Sequence, residues 1–225
     1  MSAPPVAVKL YRTIAAAAPY LRGLAEQSTP FTFDIESYDA AGSPSRKSIA
    51  VDPHHPDFRV RGCAFATSPT EGAYVDFMVD VSSSREPVFS VPDNYSSTDP
   101  GIVALRAAFA SPAEKSAFNG HFDECGLVYP GWVPEVRNRG RDGMLAAIAL
   151  GDGTHERLTL AHLVLVLLRK ETTWDVDKGL MRDLPVEQVA DGAVHDACLT
   201  LELCDLLDGW ADEDRRIRWS GLTRG

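Results

Sequence analysis

The sequence predicts an α/β fold in which a mixed sheet is flanked by helices, with an extra helix at the N-terminus. Three observations carry that expectation. Residues 31–79 hold three runs rich in β-formers: Phe31-Thr32-Phe33-Asp34-Ile35-Glu36, which alternates with a period of two, then Phe58 to Thr67 and Ala73 to Val79. The last two are separated by Ser68-Pro69-Thr70-Glu71-Gly72, whose turn chemistry suits a hairpin, so the three strands are expected to be consecutive and antiparallel. From Lys115 onward, Ser116 to Phe118, Phe122 to Val128, Val133 to Val136, Gly143 to Leu150 and Leu158 to Leu168 alternate as short apolar runs and helical patterns, the strand-helix-strand-helix rhythm of an α/β unit. A chain of 225 residues, 44% hydrophobic, is long enough to bury one sizeable core.

Each element follows from local pattern. Residues 6–27 read as a helix, since Val6, Leu10, Ile14, Ala17, Leu21 and Leu24 recur at three- and four-residue steps and Pro30 closes the segment. Gly42-Ser43-Pro44 and the stretch from Pro53 to Pro56 mark a long loop after the first β-run. Ser82 to Asp99 is polar and punctuated by proline, a surface connection that leads into a helix of roughly Gly101 to Ala110. The final helix runs from about Val186 to Leu207, with Val194, Ala197, Leu201 and Cys204 as its apolar stripe and Gly192 as a point where it could break. Three segments result: an N-terminal helical extension over 1–30, a main domain over 31–210 and a tail over 211–225.

Charge and composition exclude several classes. Lys plus Arg number 22 against 32 Asp plus Glu, a formal charge of −10, which excludes a polybasic protein that simply coats nucleic acid. The longest apolar run, Leu158 to Leu168, is about half the ~20 residues that span a bilayer, so no membrane association is expected. The N-terminus lacks a cationic segment followed by an apolar one, which reads as cytoplasmic. Four cysteines, Cys63, Cys125, Cys198 and Cys204, occur without a C-x-x-C pair and are expected to be reduced and mostly buried. There is no phosphate-binding G-x-x-x-x-G-K-[ST], no G-x-S-x-G and no dinucleotide fingerprint.

The acidic residues are more informative in combination than singly. Asp34 and Glu36 lie two apart on a strand, so both side chains leave the same face and can hold one cation between them. Asn119-Gly120-His121-Phe122-Asp123 follows a short strand and opens a helix, where Asp123 alone would be no more than a favourable partner for the helix dipole. Asp196 sits in Asp196-Ala197-Cys198-Leu199-Thr200-Leu201 on the final helix, beside its apolar stripe.

A strand with Asp-x-Glu, a hairpin, Asn-x-x-Phe-Asp at a strand-to-helix junction and Asp-Ala-x-x-Thr-Leu on a late helix together resemble the three motifs of the DEDD 3′→5′ exonucleases. The proofreading domain of family A DNA polymerases is the nearest resemblance, with the ribonuclease D group close behind. The likeness extends to Asp57-Phe58-Arg59-Val60-Arg61-Gly62-Cys63-Ala64-Phe65-Ala66, to Ala73-Tyr74-Val75, to Arg141-Asp142-Gly143-Met144-Leu145, and to Asp183-Leu184-Pro185-Val186-Glu187 before the last motif. It implies a ribonuclease-H-like fold with a mixed five-stranded sheet. It also implies two Mg²⁺ or Mn²⁺ ions held by Asp34, Glu36, Asp123 and Asp196, with Asp34 bridging, one ion activating water and the other neutralising the leaving 3′ oxygen. The implied substrate is a single-stranded DNA 3′ end, with RNA trimming as an alternative. Such an enzyme would act alone or as a proofreading subunit, and the acidic charge, which disfavours tight binding of DNA, points to a polymerase partner lacking its own proofreading domain.

One departure stands against the match. The family carries a Tyr four residues, or a His five residues, before the last Asp to orient the attacking water, and here those slots hold Gly192 and Asp191. His195 is the nearby candidate for that work, although one step along a helix turns a side chain by ~100° away from Asp196. Were the helix to begin at Asp191 with a distorted first turn, sequence spacing would mislead. Asn119 is expected to hold its turn or reach substrate, and Phe122 either packs the helix or stacks on a base. A silenced exonuclease fold that serves as a binding module is the competing reading. His54 and His55 fit a solvated proline-fixed loop better than a metal site. Arg137, Arg139 and Arg141, and Arg215, Arg216, Arg218 and Arg224, form two basic clusters that could meet phosphates.

Overall fold

Strand and helix follow one another as the patterning predicts over most of a computed structural model that describes residues 5–27, 30–40, 51–81, 84–87, 98–150, 158–172 and 180–222. The strands are β1 (Ala7–Tyr11), β2 (Phe31–Asp39), β3 (Phe58–Ser68), β4 (Glu71–Asp76), β5 (Met78–Val81), β6 (Ser84–Pro87), β7 (Lys115–Ala117) and β8 (Arg139–Asp142). The helices are α1 (Ile14–Glu26), α2 (Pro100–Ala110), α3 (Gly120–Val128), α4 (Gly143–Leu150), α5 (Leu160–Leu163), which runs into a π-helical turn at Val164–Leu168, and α6 (Val186–Leu222). The expected loop at Gly42-Ser43-Pro44 and residues 82–83 and 88–97 of the polar connection lie outside the described residues.

Six strands form the main sheet in the order β1-β4-β3-β2-β7-β8, and β5 and β6 form a separate hairpin. As expected, β2, β3 and β4 are consecutive and antiparallel, while β7 lies parallel to β2 and β8 parallel to β7. The sixth strand is a correction to the expected five. Residues 7–11 are not the first turns of an N-terminal helix but an edge strand paired parallel to β4, from Ala7 opposite Glu71 to Tyr11 opposite Val75. Val6 and Leu10 are four apart, a spacing that fits both a helical and an extended repeat. Val8 settles it: all three pack on one apolar cluster with a period of two. The helix begins only at Ile14, capped by Thr13, whose hydroxyl accepts the Ala16 amide at 3.2 Å.

The sheet separates two apolar layers. One joins Phe31, Phe33, Ile35, Phe58, Cys63 and Phe65 to α1, α2 and α3; the other joins Tyr38, Ala64, Ala66 and Tyr74 to Val189, Ala193, Val194 and Ala197 of α6. Alternate residues of β2 and β3 thus face opposite helical layers, as the pleat requires. A bulge sets Glu36 and Ser37 opposite Gly62 and Val60, leaving Arg61 as the extra residue. Arg61 is fully buried, and its guanidinium donates to the carbonyls of Met181, Arg182 and Leu184, which ties β3 to the chain entering α6.

Two further boundaries differ from expectation. The apolar run Val133 to Val136 forms no strand; the edge strand is β8, Arg-Gly-Arg-Asp, which has no apolar alternation for a sequence pattern to detect. Helix α6 runs unbroken through Gly192 and extends past Leu207 into the segment expected as a tail. Packing of its apolar face on β1 through β4 overrides the weak intrinsic preference of one glycine.

Candidate active site

The geometry starts at the middle of β2. Strand β7 pairs with β2 only at Phe31 and Thr32, so the downstream edge of β2 needs other partners. The Ile35 amide finds one in Asp123, whose carboxylate accepts it at 3.0 Å. That bond sets the second acidic motif beside the backbone between Asp34 and Glu36. Helix α3 lies close enough for it because Gly126 faces Ile35: a Cβ there would overlap the Ile35 side chain and stand 3.3 Å from the ring of Phe58. Asp123 and Glu36 are buried, and Asp34 is half-buried.

The third motif arrives from the other layer. Thr32 lies on the α6 side of β2 and its hydroxyl donates to the Ala197 carbonyl at 2.9 Å, which pins α6 to β2 at the residue after Asp196. Asp196 and His195 are both half-buried on this helix, and Gly192 is buried one turn earlier. Because α6 starts at Val186, Asp191 and Gly192 occupy regular helix, so the distorted first turn that would shift the spacing does not occur.

Cys63 registers the charge of this region. It faces Ile35 across the β2–β3 ladder, and its thiol is pushed well above the usual range, by burial first and then by the carboxylates of Asp123, Asp34 and Glu36. The four predicted carboxylates therefore sit on three adjoining elements. Even so, among the described residues no three His, Cys, Asp or Glu side chains are grouped so as to hold a metal ion. The donor set itself, hard carboxylate oxygens two of which share a strand face, fits Mg²⁺ or Mn²⁺.

The Asn119 turn is organised by a residue to which the sequence assigned no role. Asn119 is exposed, adopts a left-handed backbone at φ 59°, and makes no side-chain cap. Instead Asp142 accepts the amides of Asn119 at 3.2 Å and Gly120 at 2.8 Å, and those of Met144 and Leu145 at the start of α4. One carboxylate thus fixes both helix starts, a function visible only once β7 and β8 are paired. Phe122 packs edge-on against Phe58, with 6.2 Å between ring centroids, at the border of the core.

The remaining candidates find structural partners. The His54 ring lies 4.0 Å from that of Tyr129, and His55 accepts the Asp57 amide. Arg137 pairs with Glu135, Arg139 with Glu124, and Arg141 with Glu114, Asp205 and Asp208, so the first basic cluster is matched by acids. Side chains of the C-terminal cluster lie outside the described residues. The four cysteines are free thiols, three of them buried. Among the described residues no helix is long and apolar enough to cross a membrane.

An antiparallel three-stranded core extended by parallel strands and flanked by helices is a ribonuclease-H-like fold. Solved structures of exonuclease domains share it. Brucella melitensis NrnC bound to pGG matches with a TM-score of 0.61 at 13% identity, over 97% of this chain and 88% of that one. The Aedes aegypti Nibbler EXO domain matches at 0.58 and 18% identity, over 90% and 87%. The POL domain of Pol1 from M. smegmatis, in complex with DNA primer-template and dNTP, matches at 0.56 and 18% identity over 90% of this chain, which spans only 27% of that protein. No family model and no curated protein sequence matches the chain.

Proposed function

We propose that this protein is a metal-dependent 3′→5′ exonuclease acting on single-stranded nucleic-acid ends, DNA in the first instance. The observation that carries the proposal is the Asp123 bond to the Ile35 amide, which seats the second acidic motif between Asp34 and Glu36 in a fold shared with exonuclease domains. Asp34, Glu36, Asp123 and Asp196 are the residues that would hold the divalent ions. Such ions, when bound, supply the Lewis acidity that phosphodiester hydrolysis needs. The fold neighbours include NrnC with bound Mg²⁺, which supports that assignment by analogy. Asp123 and Asp142 hold the α3 and α4 starts in place and Thr32 holds α6, while Asn119 and His195, next to the acidic motifs in the chain, would be the side chains to meet a strand end.

A charge of −10, with the Arg137 to Arg141 cluster already paired, favours weak gripping of a strand end and hence a polymerase partner that delivers it. The silenced-module reading draws on Gly192, which puts no side chain in the water-orienting slot of α6. One experiment separates the two. The protein is incubated with 5′-labelled single-stranded DNA and RNA, with Mg²⁺, Mn²⁺ or chelator, beside Asp34→Ala. Stepwise 3′ shortening that needs metal and is lost in the variant is the expected result, and the preferred polymer identifies the substrate. Intact substrates under every metal would establish the silent module instead.

A further inference from the structure

Gly192 leaves α6 without a side chain to orient the reacting groups, but another tyrosine lies beside the acids. Tyr74 of β4 stands opposite Ala64, which stands opposite Asp34, so the three form one row across the sheet on the face covered by α6. Its ring leans over Gly62: a Cβ on that glycine would overlap the Tyr74 hydroxyl and lie 2.6 Å from Cζ. Gly62 is in turn the residue opposite Glu36. Tyr74 is 0% exposed, and its hydroxyl has no hydrogen-bond partner among the described residues. A buried hydroxyl without a partner costs stability unless something compensates. Burial first, and then the carboxylates of Asp76 and Glu36, push this phenol well above its usual range.

We propose that Tyr74, reaching from β4 across Gly62, is the positioning residue for the Glu36 carboxylate. The inference rests on the nuclease reading. In it, the phenolic O–H donates to one oxygen of Glu36 and aims the other at the reaction centre, as outer partners of ligating carboxylates do. Gly62 serves by having no side chain, since only a glycine at the bulge leaves the ring this path.

Tyr74→Phe keeps the ring and removes only the hydroxyl. With a wild type active in the assay above, the variant is expected to lose ~10- to 100-fold in kcat, with KM for the oligonucleotide and the thermal midpoint nearly unchanged and with weaker Mn²⁺ binding by calorimetry. Equal kcat in an active pair would overturn the role of Tyr74 and leave the nuclease reading standing, whereas an inactive wild type overturns the nuclease reading itself. A fall in thermal midpoint with kcat preserved in the folded fraction would show a structural hydroxyl bonded to Asp76 or Arg61, and likewise overturn the proposal. A second measurement does not depend on that variant folding. The ¹⁹F resonance of 3-fluorotyrosine placed at position 74 is expected to move on Glu36→Gln without metal, and on Mg²⁺ addition to the otherwise unaltered chain. A resonance indifferent to both would overturn the proposal.

Discussion

At the scale of single residues, Asp123 serves two ends, and the two can be separated. Its carboxylate satisfies the buried Ile35 amide, so Asp123→Ala is expected to cost about 1–3 kcal/mol of stability. Asp123→Asn, whose amide oxygen can still accept that bond, should recover most of the stability in urea unfolding while remaining inactive as a nuclease. Lys115 offers a test by pH. Its ammonium is buried among the carbonyls of Ser111 and Ala113, and burial lowers its pKa to about 8. The folded state therefore binds fewer protons than the unfolded state between about pH 8 and the usual lysine value, and stability rises with pH across that window. Measured against Lys115→Met to cancel other titrations, the wild type should gain stability from pH 8 to 10.5; a flat difference would contradict the assignment.

At the scale of elements, β1 and the approach to α6 carry more than their length suggests. Val8 and Leu10 of β1 cover the cluster under α6, so removing residues 1–12 should lower the thermal midpoint and expose the β4 edge to self-association, checked by light scattering. Arg61 closes the other side of that cluster by binding three carbonyls of the chain before Val186. Replacing it with Met leaves those carbonyls without their donor, and a loss on the order of 3 kcal/mol is expected in denaturant unfolding. The helix that carries Asp196 is thus held at both ends of the cluster, by Arg61 before it starts and by Thr32 alongside it.

At the scale of the whole molecule, electrostatics limits what the protein can grip. With 22 basic against 32 acidic residues, and with Arg137, Arg139 and Arg141 bound to carboxylates, the net charge opposes a phosphate chain and that cluster has little free charge to displace its counterions. Oligonucleotide binding by the isolated protein, followed by fluorescence anisotropy against salt, should show a shallow slope, with fewer than about three phosphates neutralised. A steep slope would show that a basic surface grips the strand, and the C-terminal arginines would be the first to replace.

The α/β class, the antiparallel β2–β3–β4 unit, α2 and α3 were legible in the sequence, because period-two and helical patterns, caps and turn residues act over a few positions and leave a local trace. Asp34, Glu36, Asp123 and Asp196 were legible as candidates only as a set, through their order along the chain. What the sequence left open was fixed by contacts between distant segments. β1 became a strand because β4 offered it an edge, and β8 became one without any apolar pattern because β7 did. α6 stayed helical through Gly192 because one face of it is buried on the main sheet. Asp142, Arg61 and Tyr74 gained their places only when strands far apart in sequence were paired, since a hydrogen bond or a ring lying over a glycine depends on register, and register is a property of the folded sheet.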